Sequence, residues 1–231
     1  MIPGLDKQFQ FLLKNLIAKV DNVLVIGSSS EKFAKLIAKN FSCSVELIME
    51  DYESLLNSKL VLNDDSKVRV SMMDYDITDF DDASFDLIYA QASITLSKRN
   101  KIVKEIKRIL RPGGFFCVGE IVSLKKNIPV FVQNVFDSSN LFPLFVDELE
   151  KYYTDRELKI VAQQNLSDTL KEYYRQSASL LKNVRGNLTT GEKSYYKKIL
   201  NKVSHESNVF LKLGGDKFIG FVSLLVQKGE D

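Results

Sequence analysis

Short β-branched runs alternate with helical repeats through the first half of the chain, and this alternation restricts the fold more than any other feature. Val23-Leu24-Val25-Ile26 is apolar at every position and stops at Gly27, which reads as a strand buried on both faces. Further strands are predicted over 45–49, 68–72, 85–90 and 115–121. Between them the apolar spacing changes to threes and fours, predicting helices over 31–40, 52–60 and 98–110. Ser30 is placed to cap the first of these, and Arg111-Pro112-Gly113-Gly114 is expected to end the last. Leu5, Phe9, Leu12, Leu13, Leu16, Ile17 and Val20 mark a helix ahead of the first strand. Regular β-α alternation implies a parallel, doubly wound α/β sheet.

After Val122 the pattern changes. Residues 123–145 read as an irregular connection with a short helix, 147–153 as a helix and 158–163 as a sixth strand. Two helices, 168–184 and 190–205, are predicted around Arg185-Gly186-Asn187, and a last strand over 217–227 follows Gly214-Gly215. Repeats and linkers are absent from the sequence, so 1–231 reads as a single domain with a late helical insertion.

Composition narrows the chemistry. The net charge of +2 speaks against a dedicated nucleic-acid-binding domain. Two cysteines, Cys43 and Cys117, supply neither a disulfide framework nor a four-sulfur zinc site, and both are expected to be buried and inert. The single histidine, His205, disfavours His-based metal sites and a Ser-His-Asp triad, and is expected at the surface. The longest nearly apolar stretch, 218–226, is about half of a membrane span. With no N-terminal targeting pattern, a cytoplasmic location is expected, with no membrane partner and no bound metal. Charge is uneven: residues 46–86 carry twelve acidic and three basic side chains, and residues 97–112 seven basic and one acidic. Residues 165–208 carry eight basic and four acidic side chains. Solvated helix faces explain such blocks, and a basic insertion attracting an anion is the competing explanation.

In an open α/β sheet, ligands bind beyond the carboxyl ends of the strands. The candidate residues are therefore Gly27-Ser28-Ser29-Ser30-Glu31, Glu50-Asp51, Asp74-Tyr75 and Gln91-Ala92-Ser93. A turn of small residues lets a ligand approach the backbone. An acid about 20 positions further on, here Glu50, can accept from ribose hydroxyls, and Asp74 can accept from an exocyclic amine such as that of adenine. Together these positions describe a site for an adenosine-containing cofactor.

Two stretches then carry a resemblance. Asp74-Tyr75-Asp76-Ile77-Thr78-Asp79-Phe80-Asp81-Asp82-Ala83-Ser84-Phe85-Asp86-Leu87-Ile88 and Glu105-Ile106-Lys107-Arg108-Ile109-Leu110-Arg111-Pro112-Gly113-Gly114-Phe115 resemble, in order and spacing, motifs of the class I S-adenosylmethionine-dependent methyltransferases. The resemblance covers residues 23–122 and, more loosely, the rest of the chain. It implies a Rossmann-like sheet of seven mostly parallel strands, the last antiparallel between the fifth and sixth. It implies S-adenosylmethionine as cofactor, with Gly27, Ser28, Ser29, Glu50, Asp74, Tyr75 and Gln91 at its site. It also implies in-line displacement by a small-molecule nucleophile. Segments 1–20 and 165–208 would form the substrate cap, and Tyr173 and Tyr174 would face the substrate; no catalytic residue is assigned.

The chain also departs from the family. Val25 stands where the first strand usually carries an acid, and only the first glycine of the Gly-x-Gly-x-Gly turn is kept. A Cβ at Ser29 and at Glu31 narrows the backbone approach and disfavours positive φ. Glu31 would repel a cofactor carboxylate if close, and Met49 can occupy the usual acid position, with Glu50 one residue on. The alternative is a catalytically inactive methyltransferase-like binding or partner subunit, and a homodimer or protein partner stays open. Nucleic acid is not expected as a substrate, since the fourth strand ends in Tyr89-Ala90-Gln91-Ala92.

Overall fold

Successive residues of β1 (Asn22–Ile26) face opposite ways, and both ways lead into core. Leu24 and Ile26 pack with α4 (Arg99–Ile109) and α6 (Leu149–Thr154), while Val23 and Val25 pack with α1 (Lys7–Asn15) and α2 (Glu31–Phe41). This is why residues 23–26 read as an unbroken apolar run. The computed structural model describes residues 2–62 and 67–230; positions 1 and 231, the ends of the expected domain, lie outside them.

The other strands are β2 (Ser44–Met49), β3 (Val68–Met72), β4 (Phe85–Gln91), β5 (Leu110–Ser123), β6 (Leu144–Phe145), β7 (Leu158–Asn165) and β8 (Ile219–Lys228). The order is β3-β2-β1-β4-β5-β8-β7, with β6 paired to the end of β5. β8 runs antiparallel to both neighbours, and the other pairings are parallel. The doubly wound sheet with an antiparallel last strand is therefore as expected, and the two-residue β6 adds an eighth strand. The remaining helices are α3 (Tyr52–Leu62), α5 (Val130–Ser138), α7 (Asp168–Asn187), α8 (Thr190–Tyr195) and α9 (Lys197–Lys212). The last three form the insertion between β7 and β8.

Three expectations need correction. The N-terminal helix stops at Asn15, not Val20. Leu16 is extended, and Leu16 and Val20 are buried from non-helical backbone, which mimics helical spacing; Ile17 is fully exposed. α4 ends at Ile109 ahead of Arg111-Pro112, and the Pro-Gly-Gly run is taken up within β5, where the register to β4 shifts. α7 runs through Gly186 to Asn187; the break comes at Thr189, whose hydroxyl and Glu192 form a capping box that starts α8. Among the described residues, no helix is long and apolar enough to cross a membrane.

Candidate active site

The strand order reverses between β1 and β4, so the turns that leave these two strands meet at one crevice. Gly27 adopts φ +128°, and a Cβ there would lie 2.7 Å from Ser93 Cβ. Ser93 closes the crevice by donating from Oγ to the Ile26 carbonyl at 2.7 Å. Ser29 takes φ +63° in spite of its Cβ, so the turn is kept at the cost of local strain. Ala92, after β4, is likewise at φ +56°. Ser30 holds the N-cap position of α2, but its hydroxyl makes no cap bond. That hydroxyl is buried without a partner, 3.5 Å from where a Gly27 Cβ would stand. Glu31 is bonded to the Ser58 hydroxyl, which ties its carboxylate to α3.

The acids beyond β2 and β3 are partly paired with the protein. Glu50 Oε1 accepts from the Tyr75 backbone N–H at 2.9 Å and from Lys98 Nζ at 2.5 Å. Lys98 also donates to Asp76 at 2.8 Å. Burial works to lower the Lys98 pKa, but its bonds to Asp76 and Glu50 prevail and raise it. Both Glu50 contacts fall on Oε1, and neither Oε2 nor the exposed Asp74 carboxylate has a partner among the described residues. Met49, at the strand position proper, is fully buried. Asp51 sits beside Ser28 and accepts from the Ser54 amide at 2.7 Å, which lowers its pKa.

A cavity of about 460 Å³ begins at these turns and ends at the insertion. Ser28, Tyr75, Gln91 and Ser93 line one end, and Tyr173, Tyr174, Lys202 and Glu206 the other. Ile2 and Pro3 also line it. Ile2 borders a second cavity of about 610 Å³, where Ser29 lies with Lys32 and Phe33. The N-terminal segment is thus a strap between two cavities. Gln91 holds it: Nε2 donates to the carbonyls of Pro3 at 2.6 Å and Leu5 at 2.9 Å, and Oε1 accepts from the Tyr89 hydroxyl. Lys32 to Asp6 and Lys7 to Asp168, both 2.5 Å, pin the strap to α2 and α7.

The structure therefore brings Ser28, Tyr75, Gln91, Tyr173 and Tyr174 around one space, with Gly27 and Ser29 in the turn at its edge. Glu50 reaches it through the Tyr75 amide, and Asp74 stands outside its lining. Lys202 and Glu206 were not legible beforehand, because a lysine and a glutamate four apart on a polar helix face look like a solvated pair.

Apart from Tyr75, which lines the cavity, the two stretches that carried the resemblance are bonded mainly to each other. Arg108 reaches the Phe80 carbonyl at 2.8 Å and Asp82 at 2.6 Å, while Arg111 pairs with Asp86 at 2.5 Å and bonds the Ala83 carbonyl at 3.1 Å. Asp86 also accepts from the amides of Asp21 and Asn22, at 3.0 and 2.9 Å. Glu50, Asp76, Asp82 and Asp86 of the acidic block are thus paired with Lys98, Arg108 and Arg111 of the basic block.

Residues 24–118 match the family model described as a methyltransferase domain. No curated protein sequence matches the chain. Among solved structures, the cyclase SpnF is 16% identical, with a TM-score of 0.80, covering 98% of this chain and 81% of that one. Phosphoethanolamine N-methyltransferase 2 of Haemonchus contortus, in complex with phosphomonomethylethanolamine and S-adenosylhomocysteine, is 14% identical with a TM-score of 0.80. That match covers 97% of this chain and 53% of the other. Geranyl diphosphate C-methyltransferase of Streptomyces coelicolor is 15% identical with a TM-score of 0.72, over 96% of this chain and 77% of that one. The sheet order, the crevice between β1 and β4 and the match agree: residues 24–118 are similar to a methyltransferase domain, in a chain with the fold of these solved methyltransferases.

Proposed function

We propose that this protein transfers a methyl group from S-adenosylmethionine to a small molecule held beneath the insertion. The observation that carries this reading is the single cavity running from the turn after β1 to Tyr173 and Tyr174. Cofactor and acceptor must share such a space for direct transfer.

The residues fit the cofactor. The unpartnered Ser30 hydroxyl and the N-terminal end of α2 suit its carboxylate. The free Oε2 of Glu50 suits a ribose hydroxyl, and Asp74 an exocyclic amine. Glu31, tied to Ser58, is held away from the role of a repelling charge. When bound, the cofactor supplies a methyl group activated by the positive charge on sulfur. The protein's own part is to orient and to exclude water. Tyr173 and Tyr174 wall the acceptor end, and the strap and the insertion cover it. Burial raises both phenols, as does the nearby Glu206, so they stay protonated at neutral pH. A cytoplasmic setting accords with this reading, since Cys43 and Cys117 are buried free thiols.

Calorimetry of the full chain with S-adenosylmethionine and S-adenosylhomocysteine tests the proposal. Micromolar dissociation constants are expected. Ser30→Ala removes a hydroxyl that no protein group uses, so stability should hold or rise by about 1 kcal/mol while cofactor affinity falls. Absence of heat and of thermal stabilisation at millimolar ligand would overturn the reading in favour of a catalytically inactive subunit.

A further inference from the structure

The acceptor end of the cavity has a charge of its own. Resting on the methyl-transfer reading, we infer that Glu206 makes this end a binding site for a small molecule bearing a cationic nitrogen.

Lys202 and Glu206 are the charged side chains lining the cavity, one turn apart on α9. They are not equivalent. The Glu206 side chain is 16% exposed and that of Lys202 is 42% exposed, so the carboxylate lies deeper and the ammonium nearer the rim. They stand 4.0 Å apart, too far for a tight ion pair. Glu206 Oε1 accepts from the Ser139 hydroxyl at 2.5 Å, and Oε2 has no partner among the described residues.

The surroundings of this carboxylate are aromatic and apolar. Tyr173 and Tyr174 meet edge to face with centroids 5.0 Å apart, and Tyr174 stacks on Phe210 at 4.5 Å. Leu141, Val203 and Ile121 complete the wall. A half-buried carboxylate in a cavity lined by aromatic rings attracts a cation by charge, and the rings add their quadrupoles. Anions and neutral alcohols gain neither term. Lys202 is the cation already within reach, so a ligand cation competes with it and binds by displacing it towards solvent.

The test uses pairs of probes matched in shape and different in charge: choline against 3,3-dimethylbutan-1-ol, and 2-phenylethylamine against 2-phenylethanol. Binding of each to the full chain is measured by calorimetry with and without S-adenosylhomocysteine. The cation of each pair should bind about tenfold tighter, the scale of one charge-assisted contact. Glu206→Gln keeps the shape and the Ser139 bond and should abolish the preference. Lys202→Met removes the competing cation and should tighten cation binding, a gain that a merely structural Glu206 would not give. Equal binding within the pairs, no binding by any probe, or a preference that survives in E206Q would overturn the inference. Failure of S-adenosylhomocysteine to bind the wild type would instead strike the methyl-transfer reading, because the probe pairs report on the acceptor end without it.

Discussion

Glu105 accepts both the backbone N–H and the hydroxyl of Thr78, at 2.9 and 2.6 Å, and so fastens the loop after Asp74 to α4. Arg108 completes the cluster at 2.7 Å. Burial pushes the Glu105 pKa up, but the bonds from Arg108 and Thr78 outweigh it and hold the carboxyl at about 2, against an ordinary 4.5. A carboxylate depressed in this way adds stability above its unfolded pKa and loses it as pH falls through the folded one. The contribution should therefore be complete above about pH 4.5 and disappear towards pH 2. Glu105→Gln should cost about 2 kcal/mol at pH 7 and flatten the decline in that window. Urea melts of both proteins between pH 7 and pH 2.5 check this; parallel declines would refute it.

The turn after β1 makes opposite predictions at two neighbouring residues. Gly27→Ala forces a Cβ against Ser93 at a φ that L-residues avoid, so it should destabilise by about 2 kcal/mol or more and abolish cofactor binding. Ser29→Gly relieves a left-handed serine and should stabilise by about 1 kcal/mol without loss of binding. Chemical denaturation together with cofactor titration reads both. A destabilised S29G would mean that the serine hydroxyl contributes more than its backbone strain costs.

Much of the fold was legible because the strands are buried on both faces. Val23 to Ile26 and Leu87 to Ala90 are almost wholly buried, and the reversal of strand order places the crevice from topology alone. Local rules failed where distant packing decides. Leu16 and Val20 keep helical spacing in non-helical backbone, and Gly186 lies inside α7. At the site, Ser29 was expected to resist positive φ, yet the crevice imposes it. The role of Gln91 in holding Pro3 and Leu5 could not be foreseen, because it joins residues more than eighty positions apart. The strongest sequence motifs proved to be the rivets between 78–86 and 105–111, where side-chain-to-backbone geometry fixes residue identity most tightly.

Beneath the site lies a buried ionic cluster with no counterpart in the sequence reading. Glu120, 1% exposed in β5, accepts from Thr95 Oγ1 at 2.8 Å, Arg99 Nε at 3.1 Å and the Tyr153 hydroxyl at 2.6 Å. Every contact is internal, so removing the carboxylate leaves Arg99 charged without a counter-ion, held only by the Phe142 carbonyl and the Tyr152 ring. Glu120→Ala should cost about 3–5 kcal/mol, whereas Tyr153→Phe should cost only about 1 kcal/mol, because Thr95 and Arg99 still hold Glu120. Thermal melts would rank the two, and a smaller loss in E120A than in Y153F would show that the cluster is not a charge pair in need of its carboxylate.

Gln91 joins the floor of the cavity to the strap, and one substitution cuts this coupling, at the cost of the Tyr89 hydroxyl's acceptor. Gln91→Ala removes both donors to the Pro3 and Leu5 carbonyls while leaving the Lys32–Asp6 and Lys7–Asp168 pairs. Those surface pairs are worth less than about 1 kcal/mol each, so they should not hold the strap alone. Amide exchange over residues 4–7 should quicken at least about tenfold in Q91A, while β1 and β4 keep most of their protection, because their backbone ladders are intact and β4 loses only the Tyr89 hydroxyl bond. Cofactor added to the wild type should slow exchange in the same segment if the strap closes over an occupied cavity. The same addition to Q91A should slow it less, because the closed strap has lost its anchor. Unchanged exchange in Q91A would mean that apolar contacts of Ile2 and Leu5, not the glutamine, set the strap's position.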